Sequence, residues 1–206
     1  MEAAPTRRDR QAQTRERLLE VAAEVLIEGG YRAATLERIA ELAGFSKGAV
    51  YSNFEGKEDL TLAVLDRHFA HRLEYLQAAL LAAPETLDAR VQAFTSWWEE
   101  MVGHEAWGVL ILEFSSATRD RPQIQAQLAE REQMIIDFTA GMVEAEAQRF
   151  SVDLPLPSRE VASILVSLGS GLAFSRMLDP SIPTSILSDL AHILFIGRPG
   201  QPDQPV

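Results

Sequence analysis

Apolar residues recur along most of the chain at helical spacing, and the strict alternation typical of a half-buried strand is absent. Glycine and proline residues divide this pattern into segments of helical length. The first segment spans residues 11–28, and Gly29 and Gly30 are predicted to end it. The pattern therefore predicts an all-α protein.

Two short segments after Gly30 each begin with a residue suited to capping a helix. Thr35 precedes one of them and Ser46 precedes the other, and both types offer a side-chain oxygen to free backbone amides. Gly44 supplies the turn between the two segments. Two short capped helices joined by a glycine turn predict a helix-turn-helix.

The rest of the chain is predicted to form longer helices. The predicted helices begin at Lys57, Pro122, Ser158 and Thr184, with further helical spacing after Pro84. We expect a flexible basic arm over residues 1–10, a helix-turn-helix domain over 11–56, a larger helical domain over 57–196 and a disordered tail over 197–206. The fold class is thus an N-terminal three-helix domain followed by a C-terminal helical domain.

Charge is distributed unevenly along the chain. The net charge is −11, but residues 1–60 hold 9 basic against 11 acidic residues, whereas residues 61–206 hold 10 against 19. Only the first part is therefore expected to meet a phosphate backbone. Cysteine is absent, which excludes disulfides and thiolate metal sites. No apolar run of about 18 residues and no signal-peptide pattern is evident, so we expect a cytoplasmic protein without a membrane span.

The run from Thr14 to Leu60 resembles the N-terminal domain of the tetracycline-repressor (TetR) family. The matching residues are Arg17 to Ala22, Gly29-Gly30-Tyr31, Thr35, Ile39-Ala40, Ala43 to Tyr51, Asn53-Phe54 and Lys57 to Leu60. The family often has His where this chain has Asn53, which can donate a hydrogen bond but cannot become charged. The resemblance implies a homodimeric transcriptional regulator that binds a double-stranded DNA operator and an unidentified small-molecule effector.

A helix-turn-helix places its second helix in the major groove of DNA. The candidate DNA-binding residues are Thr35, Ser46, Lys47, Gly48, Ala49, Tyr51, Ser52, Asn53 and Lys57. We expect Lys47 to reach the acceptor edge of guanine and Ala49 to touch a thymine methyl group. The resemblance implies that Tyr51 and Lys57 hold phosphate oxygens. The alternative is that Tyr51 packs the small domain, as we expect Phe54 to do, and that the lysines are solvated surface.

The C-terminal part is rich in aromatic and methionine side chains, which suit a pocket for an apolar or planar molecule. The candidate pocket residues are Phe94, Trp97, Trp98, Met101, Trp107, Phe114, Met134, Phe138, Met142 and Phe174. For any one of them, a place in the hydrophobic core is the alternative. Arg131 lies on the apolar stripe of its helix and either pairs with Glu113, binds an acidic ligand or reaches solvent.

The last two predicted helices carry the candidate dimer interface. Small residues near Gly171 let another helix approach closely, and in the family the last two helices form a four-helix bundle with those of a second subunit. The candidate interface residues are Leu165, Leu168, Gly171, Leu172, Leu187, Leu190 and Leu194. Packing within one subunit is the alternative.

Other functions find little support in the sequence. Glu-x-x-His pairs on facing helices, a Gly-x-Ser-x-Gly elbow and a phosphate loop are not found, so no enzyme and no cofactor are predicted. His68 and His71 lie three residues apart, but a third metal ligand is not evident, so no metal is predicted. A DNA-binding protein that answers to a protein partner instead of a small molecule remains the alternative.

Overall fold

The computed structural model describes residues 6–103 and 105–195, apart from the side chains of residues 102–105. Within these residues the protein is helical. The helices are α1 Arg7–Ala33, α2 Leu36–Ala43, α3 Lys47–Tyr51, α4 Lys57–Ala82, α5 Leu87–Gly103, α6 Glu105–Ala117, α7 Pro122–Phe150, α8 Ser158–Leu178 and α9 Ile186–Phe195. The predicted all-α fold is confirmed. The predicted disordered tail, residues 197–206, and the first five residues of the predicted arm lie outside the described residues.

Helix α1 begins earlier than the sequence analysis predicted. The Thr6 hydroxyl accepts a hydrogen bond from the Asp9 amide at 3.2 Å, and the Asp9 carboxylate accepts one from the Thr6 amide at 2.8 Å. This capping box satisfies free amides at the helix start. Arg7, Arg8 and Arg10 consequently lie on the first turns of α1, although residues 1–10 had been expected to form a flexible arm.

The chain forms two compact units. The first comprises residues 1–71 and 109–124, and the second comprises residues 72–108 and 125–206. The sequence-predicted boundary between residues 56 and 57 falls inside the first unit. Parts of α4 and α6 thus share a unit with the helix-turn-helix.

The first unit is held together by side chains from α1, α2, α3, α4 and α6. Leu18, Ile39, Val50, Phe54 and Phe114 are all buried almost completely. Arg15 lies over the Phe54 ring, 4.2 Å from its centroid, and donates a hydrogen bond to the Asn53 carbonyl at 2.6 Å. The Asn53 carbonyl follows α3 directly, so α1 supports the end of that short helix. Phe54 is a core residue, as the sequence analysis preferred.

The second unit has its own core, in which α5 packs against α8 and α9. Trp97 and Trp98 are buried there in an edge-to-face pair with ring centroids 5.5 Å apart. The buried members of this core are Leu76, Trp97, Trp98, Ile136, Val143, Val161, Ala162, Leu165, Val166, Leu172 and Leu187. Each unit therefore buries enough apolar surface to have its own hydrophobic core.

Candidate nucleic-acid interface and ligand cavity

Caps and a glycine turn shape the helix-turn-helix. The Thr35 hydroxyl accepts a hydrogen bond from the Arg38 amide at 3.2 Å, and the Ser46 hydroxyl accepts one from the Ala49 amide at the same distance. Gly44 has φ +76°, a left-handed conformation that costs glycine little. Val50 is buried, which fixes the side of α3 that faces the first unit's core. Thr35 and Ser46 therefore act here as caps.

The opposite side of α3 is exposed and carries Lys47, Gly48, Tyr51 and Ser52. The Lys47 ammonium group forms an ion pair with Glu37 of α2 and lies 5.8 Å from the centroid of the Tyr51 ring. The hydrogen bond between Lys47 and Glu37 lowers the pKa of Glu37 and raises that of Lys47. In this state the cation on α3 is therefore partly neutralised by a carboxylate from the neighbouring helix.

The end of α3 is fixed by two side-chain hydrogen bonds to one carbonyl. The Ser52 hydroxyl donates to the Ala49 carbonyl at 2.9 Å, and the Asn53 side-chain amide donates to the same oxygen at 2.8 Å. Ala49 and Asn53 are half-buried. These bonds engage the polar groups of Ser52 and Asn53 within the protein, so each must rearrange before it donates to DNA.

Lys57 is the first residue of α4 and folds back onto Tyr31. Its Nζ lies 4.2 Å from the Tyr31 ring centroid and donates to the Arg32 carbonyl at 3.4 Å. Burial lowers the pKa of Lys57 from its ordinary value. A cation over an aromatic face is attracted by the ring quadrupole. The Lys57 ammonium is therefore held against Tyr31 in this structure.

Tyr31 joins several elements of the first unit. Its ring packs against Phe114 with centroids 4.9 Å apart, and its backbone amide donates to the Glu113 carboxylate at 2.8 Å. Burial, followed by the negative charge of Glu58, raises the pKa of Tyr31 to about 12. Glu58 in turn pairs with Arg121 at 2.9 Å. The sequence alone does not predict this cluster, because its members are far apart along the chain.

The second unit contains an apolar cavity with about 430 Å³ of empty space, part of it open to solvent. We call it the second-unit cavity. Its lining residues are Leu80, Leu87, Arg90, Val91, Phe94, Met142, Val143, Glu146, Ala191 and Phe195. Apolar side chains with few polar groups are typical of small-molecule sites.

The candidate pocket residues are scattered in the structure. Phe94 and Met142 line the second-unit cavity, while Trp97 and Trp98 are buried in the core of that unit. Met101 and Phe138 pack partly buried against the same core, and Trp107 is half-buried. Met134 and Phe174 are exposed, and Phe114 lies against Tyr31 in the first unit.

The remaining candidates from the sequence are Arg131 and the two histidines His68 and His71. Arg131 donates from Nη1 to the Gln127 carbonyl of its own helix at 3.0 Å. Among the described residues, no group of three or more His, Asp or Glu side chains is placed to hold a metal ion. His68 and His71 therefore belong to no such group in the described part of the chain.

The candidate interface leucines face inward to different degrees. Leu165, Leu172 and Leu187 are buried within the subunit, and Leu168, Leu190 and Leu194 pack partly buried against its core. Gly171 is exposed, and a β-carbon there would meet no atom within 4 Å. Other apolar residues on these helices are exposed, and we call them the α8–α9 apolar set: Ile164, Phe174, Leu178, Ile186 and Ile193.

Helix α8 is apolar on more than one side. By length and composition alone it qualifies as a helix able to cross a membrane, although only 33% of its most apolar stretch is buried. No such segment was predicted from the sequence, because polar residues interrupt the apolar run before it reaches about 18 residues. Core and interface helices of globular proteins have the same composition, so this feature is weak evidence for a membrane.

Comparison with known proteins finds a family match for part of the first unit. A family model for bacterial regulatory proteins of the tetR family matches residues 18–64, which run from α1 into α4. The HTH-type transcriptional activator FasR of Mycolicibacterium smegmatis is 31% identical over 136 residues. That match covers 65% of this chain and 60% of FasR, so the chain spans less than two thirds of this relative's length.

Two further comparisons extend over more of the chain. The HTH-type transcriptional repressor BepR of Brucella suis is 26% identical over 164 residues, which cover 78% of each protein. The solved structure of the fatty acid degradation regulator FadR from Bacillus halodurans has a TM-score of 0.68 and 14% identity, and covers 93% of this chain and 95% of FadR. At that identity the structural likeness supports the fold alone.

Proposed function

Since this chain belongs to the tetR family of bacterial regulatory proteins, we propose that it is a dimeric repressor released from a palindromic operator by a small, largely apolar or aromatic molecule. Family membership already makes the chain a DNA-binding regulator and not an enzyme. The proposal adds the dimer, the direction of regulation and the response to a ligand. The observation that carries it is the exposed surface of α3, with Lys47 and Tyr51 on it.

The DNA-binding part of the proposal rests on the chemistry of that surface. Lys47 is proposed to read a guanine edge, and the small residues Gly48 and Ala49 would allow the backbone close to the bases. Tyr51 and Lys57 are proposed to bind phosphate oxygens. Lys57 begins α4, where free backbone amides and the helix dipole also favour an anion.

Dimerisation is proposed through α8 and α9. The α8–α9 apolar set leaves large side chains in water that a second subunit would cover. Gly171 lies on the same helix with room for a close approach. The leucines that are buried inside the subunit support this surface from behind.

The ligand response is proposed to work by linkage. A molecule in the second-unit cavity would favour a conformation in which the two recognition helices of the dimer are wrongly spaced for the operator. Its differential affinity sets the loss of DNA binding, and a coupling free energy of about 1–3 kcal/mol is usual. Helix α4 is continuous from Lys57 to Ala82 and contributes to both units, which makes it the proposed lever.

The direction of regulation needs its own measurement. BepR is named a repressor and FasR an activator, so the names of relatives support both modes. Transcription in vitro from the promoter upstream of the protein's own gene distinguishes them. We expect added protein to lower the transcript yield. An increase would show that the protein is an activator and not a repressor.

Operator binding tests the whole proposal. Fluorescence anisotropy with a duplex from the same upstream region should give saturable binding with two chains per site. Affinity should fall steeply with salt, because neutralised phosphates release counterions. Binding that is equal for the upstream duplex and a scrambled duplex at every salt concentration would contradict a regulator of this kind.

A further inference from the structure

Helix α3, which carries the proposed base contacts, has little of its surface in the core of the first unit. Val50 is buried, whereas Lys47 and Tyr51 are exposed. The helix has only 5 residues, and a helix of this length is not stable by itself. If Val50 alone held it, α3 could turn about that side chain. Its direction therefore depends on what fixes its ends.

The hydrogen bonds at the two ends of α3 are mostly local. The Ser46 hydroxyl accepts from the Ala49 amide, and the Ala49 carbonyl accepts from the side chains of Ser52 and Asn53. Each of these bonds joins residues within the segment 46–53. They give α3 its shape, but they do not tie it to another helix.

The ion pair between Lys47 and Glu37 does reach α2, but it is a poor anchor. Both side chains are more than half exposed, at 53% and 59%. Lys47 is also one of the residues that are proposed to contact DNA, so this pair has to open when a base is read. A lasting anchor for α3 must come from another side chain.

Arg15 of α1 supplies such an anchor just beyond the end of α3. Its Nη1 donates to the Asn53 carbonyl at 2.6 Å, and its guanidinium carbon lies 4.2 Å from the centroid of the Phe54 ring. Phe54 is buried, so the ring beneath the guanidinium group is itself held in the core. One side chain of α1 thus contacts two consecutive residues that follow α3.

The chemistry of this contact requires arginine. A planar guanidinium group can lie with its face on an aromatic ring while its edge donates hydrogen bonds in a fixed direction. The lysine ammonium is a compact charge and cannot hold both partners in that geometry. A cation is also favourable beside the carbonyl groups at the end of a helix. Arg15→Lys therefore keeps the charge but removes the double contact.

We propose that Arg15 is a positioning residue for DNA recognition, which fixes the direction of α3 through the Asn53 carbonyl and the Phe54 ring. This inference rests on the proposed function, because it assumes that α3 reads base edges. Hydrogen bonds to base edges need a defined geometry, whereas attraction to phosphates depends mainly on charge. Arg15 therefore contributes to discrimination between sequences and not to non-specific affinity.

Arg15→Lys tests this role by fluorescence anisotropy with the upstream duplex and a scrambled duplex over a range of salt concentrations. The ratio of the two affinities should fall about tenfold or more, which corresponds to one misplaced base contact. The affinity for the scrambled duplex and its salt slope should match the parent's, since the charge is kept. Arg17→Lys is the matched control, because Arg17 is exposed on the same helix and pairs with Glu20. An unchanged ratio in Arg15→Lys, or an equal fall in Arg17→Lys, would overturn the proposal.

Arg15→Gln separates positioning from a direct phosphate contact. A positioning residue predicts the same loss of discrimination in this variant, with a salt slope close to the parent's. If Arg15 instead binds a phosphate, Arg15→Lys will bind the operator like the parent, and Arg15→Gln will lower the salt slope by about one per subunit on both duplexes. That second pattern would refute the positioning role.

Two checks complete the experiment. Circular dichroism under the binding conditions shows whether each variant is folded. If neither Arg15 variant keeps the parent's helical spectrum, Arg15 is a structural residue and the positioning role is wrong. If the parent itself binds the upstream and scrambled duplexes equally, the proposed function is wrong. If the parent discriminates and folded Arg15→Lys discriminates as well, only the inference about Arg15 fails.

Discussion

The Glu113 carboxylate occupies the space that a side chain at Gly30 would need. A β-carbon built on Gly30 would lie 2.7 Å from Glu113 Oε2, and the same oxygen accepts the hydrogen bond from the Tyr31 amide. Gly30 also has φ +76° and ψ 164°, in a region that is essentially limited to glycine. The bend within α1 at Gly30 and the position of α6 within the first unit are therefore linked through one carboxylate.

Substituting Gly30 should destabilise the first unit. Gly30→Ala introduces both backbone strain and contact with the Glu113 carboxylate, and strain of this type alone costs about 1–3 kcal/mol. Urea unfolding measures the change. Gly29→Ala is the control, because a β-carbon there meets only Ala33 at 3.9 Å in a helical segment and should be neutral or stabilising. Equal losses in the two variants would contradict the assigned geometry.

The Lys47–Glu37 ion pair should restrain DNA binding. Glu37→Gln frees the Lys47 ammonium, so anisotropy titrations should show tighter binding and a steeper dependence on salt. Glu41→Gln removes the same charge from α2 but frees Arg38 instead. If both variants tighten binding equally, the effect comes from total charge and not from release of Lys47.

Lys57 and Lys47 should have different effects on DNA binding. Lys57→Ala should weaken binding to all sequences and lower the salt slope by about one per subunit, as expected for a lost phosphate contact. Lys57→Arg keeps the charge and serves as the control. Lys47→Ala should instead relax the preference at one operator position, measured with a panel of single base-pair changes. A Lys57→Ala variant with the parent's affinity at every salt concentration would exclude the proposed phosphate contact.

Trp98 is expected to matter for stability more than for ligand release. It is buried in the core, and its Nε1 has no hydrogen-bond partner among the described residues. Trp98→Ala should cost about 3–5 kcal/mol in the free energy of unfolding. Trp98→Phe should cost much less, because it removes an unpaired donor while keeping most of the ring. Should Trp98→Ala unfold like the parent yet no longer leave the operator with a ligand that releases the parent, Trp98 would be a ligand contact.

The sequence predicted the parts of the fold that depend on local chemistry. The helical period and the caps Thr35 and Ser46 sufficed for the helix-turn-helix, because each signal lies within a few residues of its effect. Thr6 and Asp9 form an equally local capping box, and the sequence analysis overlooked it when it set residues 1–10 apart as an arm.

The rest depends on contacts between distant residues. Periodicity shows that Phe114 has a buried face, but it cannot show that the ring packs on Tyr31. On α8, apolar residues lie on several sides, so the pattern cannot tell which side meets the subunit's own core. The ion pair between Arg90 of α5 and Glu146 of α7 could not be predicted from the sequence, because the two residues lie on different helices and are adjacent only after packing.

The exposed side of α8 should hold the dimer together. At 100° per residue, Ile164, Gly171, Phe174 and Leu178 fall within a sector of about 80°, apart from the buried positions. Phe174 is 48% exposed in the single subunit. Covering such side chains is favourable by about 25 cal/mol per Å² of apolar surface, so a buried charge at their centre should disrupt association.

Phe174→Glu should therefore convert the dimer into a monomer. Light scattering at micromolar concentration should give twice the mass of one chain for the parent and the single mass for the variant. Operator affinity should fall with it, since one subunit can contact only one half of a palindromic site. Leu81→Glu is the control, because Leu81 is 85% exposed on α4 and should tolerate the same change. A Phe174→Glu variant that remains a dimer with full operator affinity would show that the subunits associate through another surface.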